Sequence, residues 1–374
     1  MGKRIHLISF DIPYPPNYGG IIDVFYKIKA LHALDIKIVL HCFQYGKSVV
    51  QPALNKYCEE VHYYKRNSFF TSLLSNDIPF IVKSRGNEDL INTLNKDNDP
   101  ILFDGLHTTY IMNLYNFNGR KMFLRAHNVE HHFYKGLAES ESNIFKRNFF
   151  KQETKKLKRY EKILKSLNGV FSISPKEQEY FKKKYGQKCI YIPAFHDTKR
   201  HTKHTPKGNY ILYHGNILVS ENVKAALFLI DTYKNSDFQL VIASSYINDE
   251  VTKEVLKYDN IAFHSLEKET DLNRLFENAH VNVLPTFQNT GIKLKLLNTL
   301  YQGKFVIAND FMVKNTGLES LCELANTKKE FLAKTKELLD QSFTKSMIEN
   351  RLNTLKELSP EVGAQKIIDT IFRS

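Results

Sequence analysis

The sequence predicts an α/β protein with two domains, each built on a parallel sheet that helices cover on both faces. Short apolar runs rich in Ile, Val, Phe and Tyr alternate with segments of helical periodicity along the whole chain, and this alternation is typical of parallel strands joined by helices. A chain of 374 residues usually forms more than one hydrophobic core. A polar stretch near the middle divides the pattern into two halves.

The candidate strands fall into two groups. Those of the first half are RIHLISF, IKIVLHCF, VHYY, ILFDG, KMFLRA, VFSIS and CIYIP, and those of the second half are YILYHG, FQLVIAS, NIAFHS, HVNVLP, KFVIAN and LCELAN. The stretch AFHDTKRHTKHTPKGN (194–209) between them is almost without apolar residues and has the composition of a surface linker. We therefore expect domains over 1–195 and 206–358, followed by a closing helix over 359–374.

Two helices carry boundary signals. After the strand VFSIS, Ser174 can cap a helix that has Pro175 at its first position and Glu177 in capping-box position, and Gly186 marks its end. The preceding segment, FKRNFFKQETKKLKRYEKILKSLNG, has apolar residues at helical spacing and is predicted to end at Gly169.

Composition indicates a globular protein in a reducing compartment. The apolar part of the N-terminus is too short for a signal peptide, no apolar run approaches a membrane span, and the four cysteines have no metal-ligand or disulfide spacing. We expect a cytoplasmic protein. The net charge of +13 fits nucleic acid, an anionic membrane surface or a phosphorylated substrate.

The stretch GIKLKLLNTLYQGKFVIAN (291–309) places two lysines in the first turn of a predicted helix that follows the strand HVNVLP. Cations are unfavourable at a helix N-terminus, but a bound diphosphate would reverse the sign, because the helix start and both ammonium groups would face an anion. Lys293 and Lys295 are therefore candidate diphosphate ligands. The alternative is two solvated lysines on an ordinary helix.

Two further motifs follow strands of the first half. In PYPPNYGG, Gly19 and Gly20 precede a helix and allow close backbone approach to a ligand, although paired loop glycines are common. In LRAHNVEHHFY, His127 suits a polar contact or proton handling, with a structural histidine as the alternative. His127 and His131 have the spacing of a metal pair, but no third ligand is evident, and we expect no metal.

Positive charge is concentrated between Lys146 and Lys188, on helices that also carry aromatic residues. Such a surface fits a peripheral contact with an anionic membrane. A solvated helix face is the alternative. No nucleic-acid-binding module is recognisable, so we expect no nucleic acid partner.

Taken in order, these motifs resemble those of GT-B glycosyltransferases, in particular the large family four of retaining, sugar-nucleotide-dependent enzymes. PPNYGG is similar to the family's N-terminal glycine loop, RAHNVEHHFY and GVFSISPKEQEYF to its acceptor domain, and YHGN, NIAFHSLEKETDLNRLFENAHVNVLP and GIKLKLLNTLYQGKFVIAN to its donor domain. The resemblance implies two Rossmann-like domains facing a central cleft, the first binding the acceptor and the second the donor nucleotide, with the C-terminal helix packing back on the first.

The resemblance also implies roles for individual residues. His127 matches a histidine near the transferred sugar and the acceptor. The donor-binding positions are Gly19, Gly20, Gly215, Asn216, Thr290, Gly291, Lys293, Lys295 and Asn298. Two of these depart from the family pattern, because Thr290 and Asn298 stand where many members have glutamates; both can still hydrogen-bond hydroxyls. The Arg and Lys usual after the first donor-domain strand are also replaced, leaving Asn216 and a shifted Lys224.

The activity implied is transfer of a sugar, with retention, from a nucleotide-diphosphate sugar to a hydroxyl of a glycan or lipid-linked acceptor. The setting implied is polysaccharide biosynthesis at the inner membrane face. Neither a cofactor nor a metal ion is required. Three alternatives stay open: an epimerase acting on sugar nucleotides, a protein that binds the donor without transferring it, and a basic nucleic-acid-binding protein.

Overall fold

The structure, a computed structural model, describes residues 2–16, 18–44, 49–67, 77–141, 143–197, 206–267, 269–287, 294–314 and 316–373. The chain forms two compact units, one of Met1–His196 with Leu358–Ser374 and the other of Asp197–Glu357. Each unit contains one fully parallel sheet with helices, so the predicted α/β fold with two parallel sheets is confirmed.

The first unit has a seven-stranded sheet with the strand order β3-β2-β1-β4-β5-β6-β7. Its strands are β1 (Arg4–Ser9), β2 (Lys37–Gln44), β3 (Glu60–Lys65), β4 (Ile101–Asp104), β5 (Met122–Ala126), β6 (Gly169–Ser172) and β7 (Cys189–Tyr191). Its helices are α1 (Gly19–Ala33), α2 (Phe80–Lys83), α3 (Glu88–Leu94), α4 (Ile111–Leu114), α5 (Glu130–Ser140), α6 (Ile144–Tyr160), α7 (Pro175–Tyr185) and, from the C-terminus, α15 (Pro360–Ile371). The order reverses between β1 and β4.

Both faces of this sheet are buried. Leu7 of β1 belongs to a core with α1 and α15, and the next residue, Ile8, belongs to a second core with α2, α3 and α5–α7. Successive strand side chains point to opposite faces, which explains the split. The C-terminal helix α15 packs on α1, and Gly363 allows the close approach, because a Cβ there would lie 3.1 Å from Cζ of Phe195.

The second unit has a six-stranded sheet with the order β10-β9-β8-β11-β12-β13. Its strands are β8 (Tyr210–His214), β9 (Leu240–Ser244), β10 (Ile261–Ser265), β11 (Ala279–Leu284), β12 (Phe305–Ala308) and β13 (Glu323–Leu324). Its helices are α8 (Ser220–Tyr233), α9 (Asp249–Val255), α10 (Glu269–Asn278), α11 (Leu294–Gln302), α12 (Asp310–Val313), α13 (Lys328–Leu339) and α14 (Lys345–Leu355). Here the order reverses between β8 and β11.

The helix boundaries agree with the sequence at α7 but not at α6. The Ser174 side chain accepts from the Glu177 N–H at 3.3 Å, and α7 ends at Tyr185 before Gly186, whose φ is 77°. The α-helix α6, predicted to reach Gly169, ends at Tyr160 and continues as a 3-10 helix over Glu161–Ser166. The tighter winding buries Leu164 and the Glu161 carboxylate.

No helix in the described part of the chain is both long enough and apolar enough to cross a lipid bilayer.

Three histidines form a stack across β1, β2 and β3. The rings of His6 and His41 lie 5.1 Å apart, and those of His41 and His62 lie 5.3 Å apart. His6 Nε2 lies 3.0 Å from Asp97, His6 Nδ1 lies 2.8 Å from His41 Nε2, and His41 Nδ1 lies 3.0 Å from the Tyr64 hydroxyl. If Asp97 accepts from His6, each later contact has one donor and one acceptor, and both buried rings are neutral.

This stack predicts that stability falls in mild acid. Burial lowers the pKa of His6 and, more strongly, that of His41, so the folded state resists protonation that the unfolded chain accepts below its ordinary value of 6.5. The contribution of these two histidines to stability should be fully present above pH 6.5 and should decrease as the pH falls below it, by up to about 1.4 kcal/mol per pH unit for each histidine. Urea unfolding measured from about pH 8 to about pH 5.5 tests this.

The variant His41→Phe should lose part of this pH dependence, because one titrating ring is gone, while exposed His264→Phe serves as the matched control. An unchanged slope in His41→Phe would contradict the assignment.

Candidate functional site

The candidate site of the first unit lies at the carboxyl ends of β1, β4 and β5. Asp104 is the last residue of β4, His127 follows β5, and α1 begins at Gly19 after the loop from β1. In an open parallel sheet, ligands bind at this edge, next to the point where the strand order reverses. The structure therefore brings the predicted residues His127, Gly19 and Gly20 to the same edge.

A carboxylate orients His127. Its Nε2 lies 2.7 Å from Asp104 Oδ1, and the other carboxylate oxygen lies 2.6 Å from the Lys27 ammonium. Although burial alone would raise it, the pKa of Asp104 is lowered by Lys27 and by the hydrogen bond from His127. Because the ionised carboxylate only accepts, Nε2 of His127 is the donor, and Nδ1 is an acceptor when the ring carries a single proton. That Nδ1 is buried and has no hydrogen-bond partner within the described residues.

A second buried ion pair supports the first. The guanidinium of Arg125 donates to Asp23 at 3.1 and 2.8 Å and to the carbonyls of Ile192 and Pro193 at 2.6 and 2.8 Å. Burial alone would raise the pKa of Asp23, but the charges of Arg125 and Lys27 lower it. The geometry of Asp23, Asp104 and His127 would admit a metal ion; Lys27 and Arg125 already supply the positive charge that these carboxylates need.

His127 and His131 do not form a pair. His127 precedes α5 and contacts Asp104, whereas His131 Nδ1 lies 3.1 Å from Glu161. Burial alone would raise the pKa of Glu161, but hydrogen bonds from His131, Lys184 and Tyr180 lower it to about 2. The two histidines therefore belong to separate buried networks.

The first turn of α1 carries no group that would repel an anion. Tyr18, which precedes it, provides no side-chain cap, and the turn carries no acidic residue. A Cβ at Gly20 would lie 2.9 Å from Cζ of Phe10, so the glycine lets this ring lie against the start of the helix. The Phe10 ring in turn contacts the His127 ring, with centroids 5.4 Å apart.

The candidate site of the second unit lies where the strand order reverses between β8 and β11. The ammonium of Lys295, in the first turn of α11, donates to Asn222 Oδ1 on α8 at 2.8 Å and to the hydroxyl of Tyr213 on β8 at 3.2 Å. A Cβ at Gly215 would lie 2.8 Å from this ammonium. Lys295 and Gly215 are therefore neighbours at this edge of the sheet.

The neighbouring predicted residues have local partners. Asn216 Oδ1 accepts from the Leu218 N–H at 2.9 Å, and its carbonyl accepts from the Asn222 side chain at 2.9 Å. Asn298, half-buried on α11, accepts from Gln302 at 2.5 Å. Thr290, Gly291 and Lys293 lie outside the described residues.

Sequence reasoning missed several groups that build these sites. Asp23 and Lys27 have the i, i+4 spacing of a solvated pair, yet both are fully buried. Asp104 is the last residue of an otherwise apolar strand, and this position could have marked it as a candidate site residue. In the second unit, Glu221 of α8 accepts from the Thr286 hydroxyl at 2.9 Å and from the Phe287 N–H, and so ties α8 to the loop after β11.

Comparison with solved structures identifies the fold. The chain has the GT-B fold: it aligns with TarM over 99% of both chains with a TM-score of 0.67 and 12% identity. It also aligns with the lipopolysaccharide outer core galactosyltransferase WaaB over 99% of this chain and 100% of that one, with a TM-score of 0.64 and 13% identity. The predicted resemblance to GT-B glycosyltransferases is confirmed.

Two further matches come from the sequence, and a third comes from a solved structure with bound ligands. Residues 208–341 match the family model described as Glycosyl transferases group 1. A Klebsiella pneumoniae protein, described as an uncharacterized 44.6 kDa protein in the cps region, is 24% identical over 388 residues, with 99% of each chain covered. A mutant of S. aureus TarM, solved in complex with Fondaparinux, alpha-GlcNAc-glycerol and UDP, aligns at a TM-score of 0.64 and 13% identity over 99% of this chain and 100% of that one.

Proposed function

We propose that the protein is a glycosyltransferase that moves a sugar from a nucleotide-diphosphate sugar to a hydroxyl of a glycan or lipid-linked acceptor. The observation that carries the proposal is the position of Lys295, whose ammonium lies beside Gly215 at the point where the strand order of the second unit reverses. The family match over 208–341 includes both residues. UDP in the TarM complex supports a nucleotide donor.

In this proposal the second unit binds the donor. Lys295, Lys293 and the start of α11 stabilise the negative charge that develops on the diphosphate as the sugar leaves, which is the kind of electrostatic help that dominates when the protein supplies no nucleophile. Gly215 keeps the loop after β8 free of a side chain, and Asn216, Thr290, Gly291 and Asn298 contact the rest of the donor. Retention at the anomeric carbon follows from the resemblance to family four.

The first unit handles the acceptor. Asp104 holds His127 with Nδ1 as an acceptor, so this atom accepts a hydrogen bond from a hydroxyl of the acceptor or the transferred sugar. Gly19 and Gly20 offer the N–H groups of the first turn of α1 to a donor phosphate. The buried carboxylates Asp23 and Asp104 are already paired with Lys27 and Arg125, which supports transfer without a divalent cation.

The biological setting we propose is synthesis of a surface polysaccharide. The Klebsiella pneumoniae relative lies in the cps region, and WaaB is a lipopolysaccharide outer core galactosyltransferase. We place the protein on the cytoplasmic side of the membrane, in peripheral contact through α6. The start of this helix exposes Ile144 at 55% and Phe145 at 82%. Its exposed cations are Lys146, Lys151, Lys155, Lys158 and Arg159.

The variant Lys293→Ala/Lys295→Ala should lower kcat for sugar transfer by about 10²–10³-fold, because the leaving diphosphate loses its cationic partners. Release of the nucleoside diphosphate from a panel of nucleotide sugars measures this. Lys253→Ala removes an exposed lysine from α9 of the same unit and is the control. Unchanged transfer by the double variant would remove the diphosphate site from the proposal.

The variant His127→Ala should lower transfer to the acceptor by about 10²-fold, the lower end of the usual contribution of a positioned proton acceptor. Because none of the proposed diphosphate contacts involves the His127 side chain, stabilisation by the nucleoside diphosphate should be unaffected. Exposed His132→Ala is the control. If the two variants transfer equally well, His127 has only a structural role.

The variant Ile144→Asp/Phe145→Asp should lose binding to anionic vesicles, since it replaces the exposed apolar tip of α6 with negative charge. Co-sedimentation with vesicles of phosphatidylcholine, with and without phosphatidylglycerol, measures this. Leu256→Asp changes a residue that is 85% exposed in the second unit and serves as the control. Equal binding to both vesicle types, or by both variants, would contradict the proposed contact.

A further inference from the structure

Arg85, which follows α2 in the first unit, is a buried cation with little local compensation. It is 5% exposed. Its Nε donates to the Phe10 carbonyl at 3.1 Å, and its Nη1 donates to the Ile81 carbonyl at 2.5 Å. A guanidinium has five N–H donors, so three of them have no hydrogen bond to any described residue. None of the ion pairs of the described residues includes Arg85.

The other buried cations of this unit have carboxylate partners. Arg125 pairs with Asp23, and Lys27 contacts both Asp23 and Asp104. Arg120 pairs with Asp97. A charge that leaves water without such a partner destabilises the folded protein. Arg85 therefore differs from the cations around it.

A buried arginine can instead serve only to bind backbone carbonyls, and the second unit contains an example. Arg351 donates from Nη1 to Gly303 at 2.7 Å and from Nη2 to Lys304 at 2.7 Å, so both terminal nitrogens are used. In Arg85 the Nη2 group has no such acceptor among the described residues. The two carbonyl contacts position the Arg85 guanidinium but leave its Nη2 group without a hydrogen-bond acceptor among the described residues.

Neighbouring groups offset the charge of Arg85 only in part, because the Asp11 carboxylate attracts the guanidinium but no carboxylate of the described residues forms an ion pair with it. Burial, followed by repulsion from Arg66, lowers the pKa of Arg85 to about 9, so it is still charged at neutral pH. The nearby Glu130 carboxyl has its pKa raised to about 8 by burial and then by Glu177, so it is mostly protonated there. The Asp11 carboxylate accepts from the Tyr18 hydroxyl at 3.0 Å and from the Ile12 N–H at 2.8 Å.

The start of α1 lies near Arg85 and adds a partial positive charge to that of the guanidinium. Arg85 binds the carbonyl of Phe10, and the ring of the same Phe10 lies against Gly20 in the first turn. That turn has neither a side-chain cap nor an acidic residue, and free N–H groups at a helix start favour anions. The Phe10 ring also contacts His127, the residue that we assign to the acceptor.

We propose that the Arg85 guanidinium binds a phosphate or carboxylate group of the acceptor. The acceptor is then an anionic, hydroxyl-bearing glycan or lipid-linked sugar. A planar guanidinium with free terminal N–H groups suits such an oxyanion, which it can bind through two parallel hydrogen bonds. The term acceptor rests on the proposed transferase function, but the binding of an oxyanion does not.

The test is a thermal-shift titration of the full chain with glycerol 3-phosphate or glucuronate, against glycerol and glucose at matched ionic strength. A ligand that binds only the folded state raises Tm. Both oxyanions, or one of them, should stabilise the native chain, and Arg85→Gln should weaken the apparent Kd by about tenfold. Lys83→Gln, which removes a charge two residues away, should bind like the native chain.

Further arms separate the possible sources of the signal. Stabilisation by glycerol 3-phosphate points to a phosphate-bearing acceptor, and stabilisation by glucuronate points to a uronic acid. Whichever stabilisation is observed must persist in Lys295→Met, which removes one cation from the proposed diphosphate site of the second unit. If Arg85→Gln does not fold, Arg85→Lys retains the charge and should bind about threefold more weakly, because it lacks the planar pair of donors.

Three results would overturn the proposal: no stabilisation by either oxyanion, equal binding by Arg85→Gln and the native chain, or dependence on Arg85 for UDP alone, which would assign the site to the donor. Failure of the transferase function has a different readout, since no nucleotide sugar would then release its nucleoside diphosphate. Arg85-dependent binding of the probes would still be measured in that case.

Discussion

Two buried carboxylates, Asp23 and Asp104, fix the geometry of the first unit around the candidate site. Asp23 on α1 accepts from Arg125 on β5 and from the Phe195 N–H after β7, and Asp104 at the end of β4 contacts Lys27 and His127. Burying these charges costs several kcal/mol per ion, which is offset only when every charge has a partner. Because the partners lie on different elements, α1, β4, β5 and the chain after β7 are tied to one arrangement.

The two units use the same topology with different chemistry. In both, the strand order reverses beside the first strand of the unit, and the loops at that point carry the candidate residues. In the first unit this point is occupied by carboxylates whose charge Lys27 and Arg125 already balance. In the second it is occupied by Lys295, held by the neutral oxygens of Asn222 and Tyr213. The two points of reversal therefore present different side chains to a ligand.

The strands could be predicted from sequence because each is a short apolar run bounded by polar residues, and this signal is local. The start and end of α7 were equally local, since Ser174, Pro175 and Gly186 act on their own backbone. The end of α6 was missed because the change to a 3-10 helix after Tyr160 depends on burying Leu164 and Glu161 against other elements. Tertiary packing routinely overrides local propensity in this way.

The candidate site shows the same division. The placement of His127, Gly19, Gly20 and Gly215 after strands could be predicted, because the carboxyl ends of parallel strands share one edge of the sheet. The residues that contact them could not be predicted. Asp104 is 23 positions from His127 and Asn222 is 73 from Lys295, and no spacing rule connects residues so far apart. Lys27 was hidden for another reason, because an i, i+4 pair on a helix is normally solvated.

The cations that give the chain its net charge of +13 have different roles, which depend on where each one lies. Some are buried against carboxylates, as Arg125 is, and contribute to the fold. Others, such as Arg351 on α14, bind backbone carbonyls and tie a helix to the turn before β12. The exposed cations of α6 can act at long range on an anionic surface. Arg85 also binds two backbone carbonyls, but it is buried and only partly hydrogen-bonded, and a substrate oxyanion is the partner that we propose for its remaining N–H groups.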